Sequence, residues 1–421
     1  MTRRERTITA VAILGTSVLW VLGLTVGTRL SGHFVTLQRS GGDRTGTPLL
    51  ALPDSTEPAG QFSGEFAAVP SRVILLIADG VGFSQLQAAR YALTSPEGRL
   101  TVERFPVAGW ITTHARSTLR IDSASTASAL ASGRKVEYGQ LSIDSNNIYH
   151  RTIAEAAVGG GVPVGLLTDS YLWDATMAAF LVHTPIRGEY EEVARQMAQS
   201  GVDLLIGEAM LGQDLDTGIA GPGAAVEFAA NGFSVVRAWD EVENITIDET
   251  TRIAAILPRG VIADRAQSPR LVDLARFAID LLDSRGDTFF LVIETEETDS
   301  ASHRADFPRM VRGLEDINEV ADLVVEYASQ HPDTLVVFTS DHETGGMALL
   351  TGNAEEPMGV RWATTVHTAE PVPLLAFGAG ADHFAGVQDN TQVAQTLANL
   401  LGLELRSEPG PPVQPATVDT D

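Results

Sequence analysis

Several short segments of the chain place carboxylates, hydroxyls and imidazoles where their types and spacing could do chemistry. Asp79, followed by Gly80 and Gly82, comes directly after the apolar run Val73 to Ala78. Glu294 comes directly after Phe289 to Ile293, and Ser340, Asp341 and His342 follow Leu335 to Thr339. Asp299 and His303 lie four residues apart, so a helical turn points both the same way, and imidazole with carboxylate is a zinc-type pair. His367 stands just before the last apolar run. Asp174 and Thr176 offer hard oxygen ligands of the kind magnesium takes, and Arg187 follows with a guanidinium able to hold two phosphate oxygens at once. Ser123 opens the small-residue run Ile121 to Gly133, which reads as a helix with Ser123 at or near its N-terminus and Gly133 as its C-cap. The helix dipole favours an alkoxide there. No histidine is close in sequence, so activation of that serine would have to come from a metal ion.

Each of these residues also has a plain structural reading. A serine opening a helix is usually a cap, an arginine such as Arg187 is usually a surface ion-pair partner, and Glu296 and Glu297 read as a solvated acidic loop. What favours chemistry is where the polar residues fall. The runs Val73 to Ala78, Val164 to Thr168, Phe289 to Ile293, Leu335 to Thr339 and Pro373 to Phe377 are continuously apolar, as strands buried on both faces of a parallel sheet are. Helical patterns lie between them, for example from Leu271 and from Val320. The alternation predicts an α/β fold, a large and mostly parallel central sheet with helices on both faces. In such sheets ligands gather at the carboxyl ends of the strands, which is where Asp79, Glu294, Asp341 and His342 stand.

Composition bounds the partners. The 421 residues are 44% hydrophobic, enough for a large core, and carry a formal charge of −25. That charge argues against nucleic acid as a partner and against attraction to an anionic membrane surface. There is no cysteine, which removes disulfides, thiolate zinc sites and cysteine-linked lipid anchors. Residues 1–30 carry Arg3, Arg4 and Arg6 ahead of an uncharged stretch from Thr7 to Thr28. Its length favours an uncleaved signal anchor over a cleaved signal peptide, and either places the catalytic part outside the cytoplasm, membrane-anchored or periplasmic/extracellular. Residues 31–70 read as a flexible linker, 71–406 as the catalytic domain, with a reduced accessory insertion over 211–266, and 407–421 as a disordered tail.

In motif content and order, from Val73 to Leu401, the chain resembles the alkaline phosphatase family. The Asp-Ser-Ala turn at Ser123, the Asp-Ala-Thr element with Arg187 thirteen residues after its aspartate, Glu294 with Asp299 and His303, the Asp341–His342 pair and the final His367-Thr368 carry the resemblance. It implies hydrolysis of small phosphate monoesters through a phosphoserine on Ser123, at a site of two Zn2+ and one Mg2+. Asp299, His303 and His367 resemble the ligands of the first zinc. Asp79, Asp341, His342 and Ser123 resemble those of the second, with Asp79 shared with magnesium, which Asp174, Thr176 and Glu294 would complete. Arg187 resembles the phosphate clamp. Six cationic charges and an arginine would then draw a phosphate dianion into an acidic protein. The chain departs from the pattern at Ser300, where relatives commonly have Lys or His, and at Ile206 to Ala209, where they are glycine-rich. Homodimerisation stays open, because the region from Leu211 to Ala266 is short. Two rival readings share these residues: a phosphodiesterase or sulfatase of the same superfamily, and a non-catalytic, metal-loaded surface protein.

Overall fold

The computed structural model describes residues 60–210, 215–216, 223–245, 251–262, 269–351 and 358–411. The expected anchor, the first part of the linker and the end of the tail lie outside these residues. Among the described residues no helix is long and apolar enough to cross a membrane.

Ten strands form one central sheet. In chain order they are β1 (Arg72–Ala78), β2 (Val107–Thr112), β3 (Val164–Tyr171), β4 (Leu204–Glu208), β5 (Phe233–Val236), β6 (Arg252–Leu257), β7 (Phe289–Thr295), β8 (Thr334–Thr339), β9 (Val372–Gly378) and β10 (Gly386–Asp389). Across the sheet the order is β10-β2-β9-β8-β1-β7-β3-β4-β6-β5. β1 is central, parallel to β7 on one side and β8 on the other, and every residue of it is buried. Its continuous apolar run is what burial on both faces requires.

Helices cover both faces. The main ones are α1 (Phe83–Leu93), α2 (Ser123–Ser132), α3 (Ala175–Ala179), α4 (Leu271–Asp283), α5 (Glu297–His303), α6 (Phe307–Gln330) and α7 (Thr391–Leu401). α2 packs with α3 and α7, and α6 packs with α1 and α4. Residues alternate along β1 between the two layers: Val73, Leu75 and Ile77 enter one apolar cluster, and Ile74, Leu76 and Ala78 the other.

Four expectations change. Pro373 to Phe377 was expected to lie parallel; instead β9 runs antiparallel to both β8 and β2. A parallel return needs a crossover, usually a helix. The described part of 340–371 carries only short strands, so the chain enters β9 from the end of the sheet where β8 stopped. The linker region is docked from residue 60 onward: Phe62 N–H donates to the Arg104 carbonyl at 2.9 Å and Ala67 N–H to that of Pro332 at 2.9 Å. The rings of Phe62 and Phe66 sit 5.6 and 4.8 Å from that of Phe377, which also meets Phe105 at 5.8 Å. The tail region begins with a strand, Ser407–Pro409, paired with Ile148–His150. The short insertion contributes β5 and β6 to the sheet edge, tied by the buried Glu208 at the end of β4, which accepts from Gly260 N at 2.6 Å and Ile262 N at 2.9 Å.

Phe377 is the ring on which the 60–70 segment closes. Phe377→Ala is expected to lower the unfolding free energy by about 3–5 kcal/mol in a denaturant titration. A loss below about 1 kcal/mol would show that the aromatic cluster does not hold that segment down.

Candidate functional site

All the singled-out residues arrive at one end of the sheet or beside it. Asp79 leaves β1 into a turn in which Gly80 has φ +72°, and a Cβ there would lie 2.6 Å from Asp299 Oδ1. Only glycine fits a turn that is both left-handed and so closely approached. Glu294 lies near the end of β7, paired in register with Ile77 of β1 and Thr168 of β3. Asp341 and His342 leave β8. Asp299 and His303 occupy one face of α5, with His303 Nε2 3.1 Å from Asp299 Oδ2. Ser123 is the first residue of α2, and Gly133 caps that helix in the left-handed conformation. The N-cap is Asp122, whose Oδ1 accepts from Ser125 N at 3.1 Å, leaving the Ser123 side chain free of the capping role.

The distances define two overlapping groups. In the first, His342 Nε2 lies 3.3 Å from Ser123 Oγ, 3.2 Å from Asp341 Oδ2 and 3.6 Å from Asp79 Oδ1. Thr176 Oγ1 is 3.5 Å from Asp79 Oδ2, and the Glu294 carboxylate is near enough to Asp79 to raise its pKa. In the second, Asp299, His303 and His367 converge, with the two imidazole Nε2 atoms 2.9 Å apart and His367 Nε2 3.7 Å from Asp299 Oδ1. Arg187 stands beside the first group, its two terminal nitrogens 3.4 Å from Asp122 Oδ2 and 3.0 Å from Asp174 Oδ1.

Three observations show that these residues fit metal ions. Sets of ligand atoms within 4.8 Å of one another occur at Asp299, His303 and His367 and at Asp79, Asp299 and His342. Asp79 Oδ1 and Glu294 Oε2 are buried without a hydrogen-bond partner, which is costly unless something charged meets them. The histidine geometry is more specific. His303 Nδ1 lies 2.7 Å from the Thr365 carbonyl and His367 Nδ1 3.0 Å from that of Ile121. A carbonyl only accepts, so both Nδ1 atoms carry hydrogen and the neutral rings turn their Nε2 lone pairs toward each other. Lone pairs 2.9 Å apart beside a carboxylate call for a cation or a proton between them.

Electrostatics agrees. Burial, reinforced by Asp341, Asp299 and Glu294, raises the Asp79 carboxyl well above its ordinary range. Burial likewise raises Glu294, and pushes Asp341 up to about 6. Asp299 goes the other way: burial alone would raise it, but the His303 hydrogen bond and the neighbouring imidazoles pull it down. His342, buried and next to His367, is held neutral with a lowered pKa. For Arg187, burial lowers the pKa, but Asp174 and Asp122 more than compensate and fix it as a cation.

Several participants were not singled out in the sequence. Asp122 is N-cap and arginine partner at once. Thr344 Oγ1 donates to Asp299 Oδ1 and lies 3.3 Å from His342 Nδ1. Glu343 ties the loop together, accepting from Gln85 Nε2 at 2.6 Å, from Gly346 N at 3.0 Å and from Thr368 Oγ1. Adjacency to Asp341 and His342 was the available signal for the last two. Glu297 is not simply solvated, since it pairs with Arg309, and Glu296 accepts the Ser300 hydroxyl at 2.6 Å.

A mostly parallel sheet whose strand ends hold buried carboxylates and histidines around a serine and an arginine defines a metal-dependent hydrolase. The family model described as alkaline phosphatase matches residues 71–232 and 255–356, and the chain belongs to that family. It is a metal-dependent phosphatase. It is 28% identical to the streptomycin-6-phosphate phosphatase of Streptomyces griseus over 85% of this chain and 96% of that one. It is 24% identical to the alkaline phosphatase of Escherichia coli K12, over 79% and 86%. Among solved structures, the alkaline phosphatase of the Antarctic bacterium TAB5 superposes with a TM-score of 0.71 at 23% identity, covering 80% of this chain and 99% of that one. That of Thermus thermophilus gives 0.71 at 21%, covering 82% and 94%.

The cluster makes metal-free stability depend on pH. For Asp79, Glu294 and Asp341 the folded pKa exceeds the unfolded one, so folding binds protons and stability falls as pH rises. His303, also raised, acts in the same direction as pH climbs through its folded pKa. The lowered pKa of His342 opposes this only below its unfolded value of 6.5. The chelated protein is therefore expected to lose melting temperature from pH 6.5 to about pH 8, and divalent cations to restore it. A flat profile, unmoved by metal, would contradict the buried-carboxylate account.

Proposed function

We propose that the phosphatase hydrolyses phosphate monoesters through a phosphoserine on Ser123, at a site of two zinc ions and one magnesium. The observation that carries this reading is Ser123 Oγ at the N-terminus of α2, 3.3 Å from His342 Nε2 and within one constellation of unpartnered acidic oxygens. Asp299, His303 and His367 would hold one zinc. Asp79, Asp341, His342 and Ser123 would hold the other. Asp79, Asp174, Thr176 and Glu294 would hold magnesium. When bound, these cations favour the serine alkoxide and offset the charge gathering on phosphate and leaving oxygen. A variant of the TAB5 alkaline phosphatase has been solved with Mg bound, which supports the magnesium part of the reading.

The chain's own residues do the rest. The α2 dipole and its first backbone N–H groups favour negative charge at Ser123 Oγ. That oxygen attacks phosphorus: a Ser123 Oγ–P bond forms, the bond to the alcohol oxygen breaks, and the proton given up by the Ser123 hydroxyl ends on the departing alcohol. Water then attacks the phosphoserine, releasing inorganic phosphate and restoring the hydroxyl. Arg187 holds two phosphoryl oxygens in its fork, and Asp122 and Asp174 keep that fork aimed. Ser300 is occupied by Glu296, so phosphate is held on this side without the cation that relatives commonly place there.

Ser123→Ala is expected to lower kcat for a nitrophenyl monoester by at least about 10³-fold while metal content, read by elemental analysis, stays that of the parent. Quenched turnover of radiolabelled substrate should trap label on the parent and not on the variant. A variant that keeps its rate would sink the nucleophile assignment. The reading also extends to location: residues 1–30 export the domain and keep it on the membrane. Full-length protein is then expected in the pellet after a high-pH carbonate wash, and a version lacking residues 1–30 in the supernatant. Equal partition of the two would overturn the anchor.

A further inference from the structure

Among exposed polar residues, four large apolar side chains stand out on the segments that carry the phosphate clamp and the other site residues. Leu119 is 71% exposed, Val366 59%, Ile186 54% and Tyr138 46%. Each lies on a segment that adjoins a site residue. Leu119 lies four residues before Ser123, Ile186 adjoins Arg187 and Val366 adjoins His367. Gly139, next to Tyr138, donates its N–H to Asp122 Oδ1 at 3.1 Å and accepts from Arg187 N at 2.9 Å. Tyr138 is held by the Arg120 guanidinium, 4.5 Å from its ring centroid, and that stacking is a reason for the ring to stay upright at the surface. The space beside the clamp is open: a Cβ placed on Gly139 or on Gly188 would meet nothing within 4 Å.

Exposed apolar side chains scattered singly are ordinary, but a group of them on the segments that carry the nucleophile, the clamp and a metal-type histidine needs an occupant. With the phosphoryl group held by Ser123 and Arg187, the alcohol part of the substrate would extend to the solvent side of the site, where these segments stand. We propose that Leu119, Tyr138, Ile186 and Val366, with Arg120 behind Tyr138, form a leaving-group subsite, and that the favoured substrates are phosphate monoesters of flat aromatic or heteroaromatic alcohols. A flat ring gains apolar contact with Leu119, Ile186 and Val366 and an edge or offset stack with Tyr138. A small polar alcohol gains none of these. The inference rests on the phosphate placement proposed above.

Phosphonates separate the two readings because they bind without reacting. On the metal-loaded enzyme, phenylphosphonate is expected to inhibit with a Ki about tenfold below that of methylphosphonate, the worth of a partly buried ring. Tyr138→Ala and Leu119→Ser should each shrink that ratio at least about threefold, and Tyr138→Phe, which keeps the ring, should retain it. Equal Ki values in the parent, or a ratio that survives both substitutions, would overturn the subsite while leaving the phosphate site standing. Failure of both phosphonates to inhibit would instead overturn the phosphate placement, and the subsite with it. Sedimentation of the same variants closes the remaining route: a change of oligomeric state would assign the rim to a contact between copies of the chain and remove it from substrate recognition.

Discussion

The structure turns on like charges buried together. Asp79, Asp341 and Glu294 meet at the ends of three adjacent strands, where desolvation and nearby carboxylates both penalise their ionised forms, while Asp299 on α5 beside them is kept ionised by its histidine neighbours. Neutral side chains do not relieve three such carboxylates at this range. Protonation relieves them partly, and divalent cations relieve them fully while leaving room for a substrate anion. The same cluster that costs the metal-free fold stability is thus what suits this end of the sheet to metal ions.

The sheet exists in part to impose that proximity. β1, β7 and β8 are neighbours and run the same way, so Asp79, Glu294 and Asp341 end at one end of the sheet although Asp79 and Glu294 are 215 residues apart in sequence. Apolar layers on both faces hold the strands in register, and register fixes side-chain positions at their ends. Helix α2 then brings Ser123 over the cluster with its N-terminus leading. Asp122 takes the capping bond, so the Ser123 hydroxyl is spared it.

Local rules recovered much of this. The apolar runs of β1, β7 and β8, the C-cap of α2 at Gly133 and the shared face of Asp299 and His303 all follow from periodicity and spacing. They failed where the outcome depended on distant partners. Pro373 to Phe377 has the composition of a parallel strand, yet the chain reaches it with no crossover helix among the described residues and runs it backwards. Phe62 and Phe66 sit in a stretch that reads as linker because its neighbours are Gly, Ser and Pro, and only Phe377 gives them a place to dock. Ser407–Pro409 reads as tail until Ile148–His150 offers an edge to pair with.

By itself the sequence determined which chemistry was available. Residue types and intervals decide what can ligate, attack or clamp, and those are local properties carried by Ser123, Arg187 and the carboxylates and histidines. Only the tertiary structure decided how they face each other. The 2.9 Å approach of the His303 and His367 Nε2 atoms, both rings turned by backbone carbonyls, spans 64 residues of chain and has no local signature. Glu343, buried and bonded to its own loop and to two separate segments, reads in sequence as one more acidic loop residue. A long-range contact is a property of the packed chain, because its free energy depends on burial and direction, and neither is defined until the strands have paired.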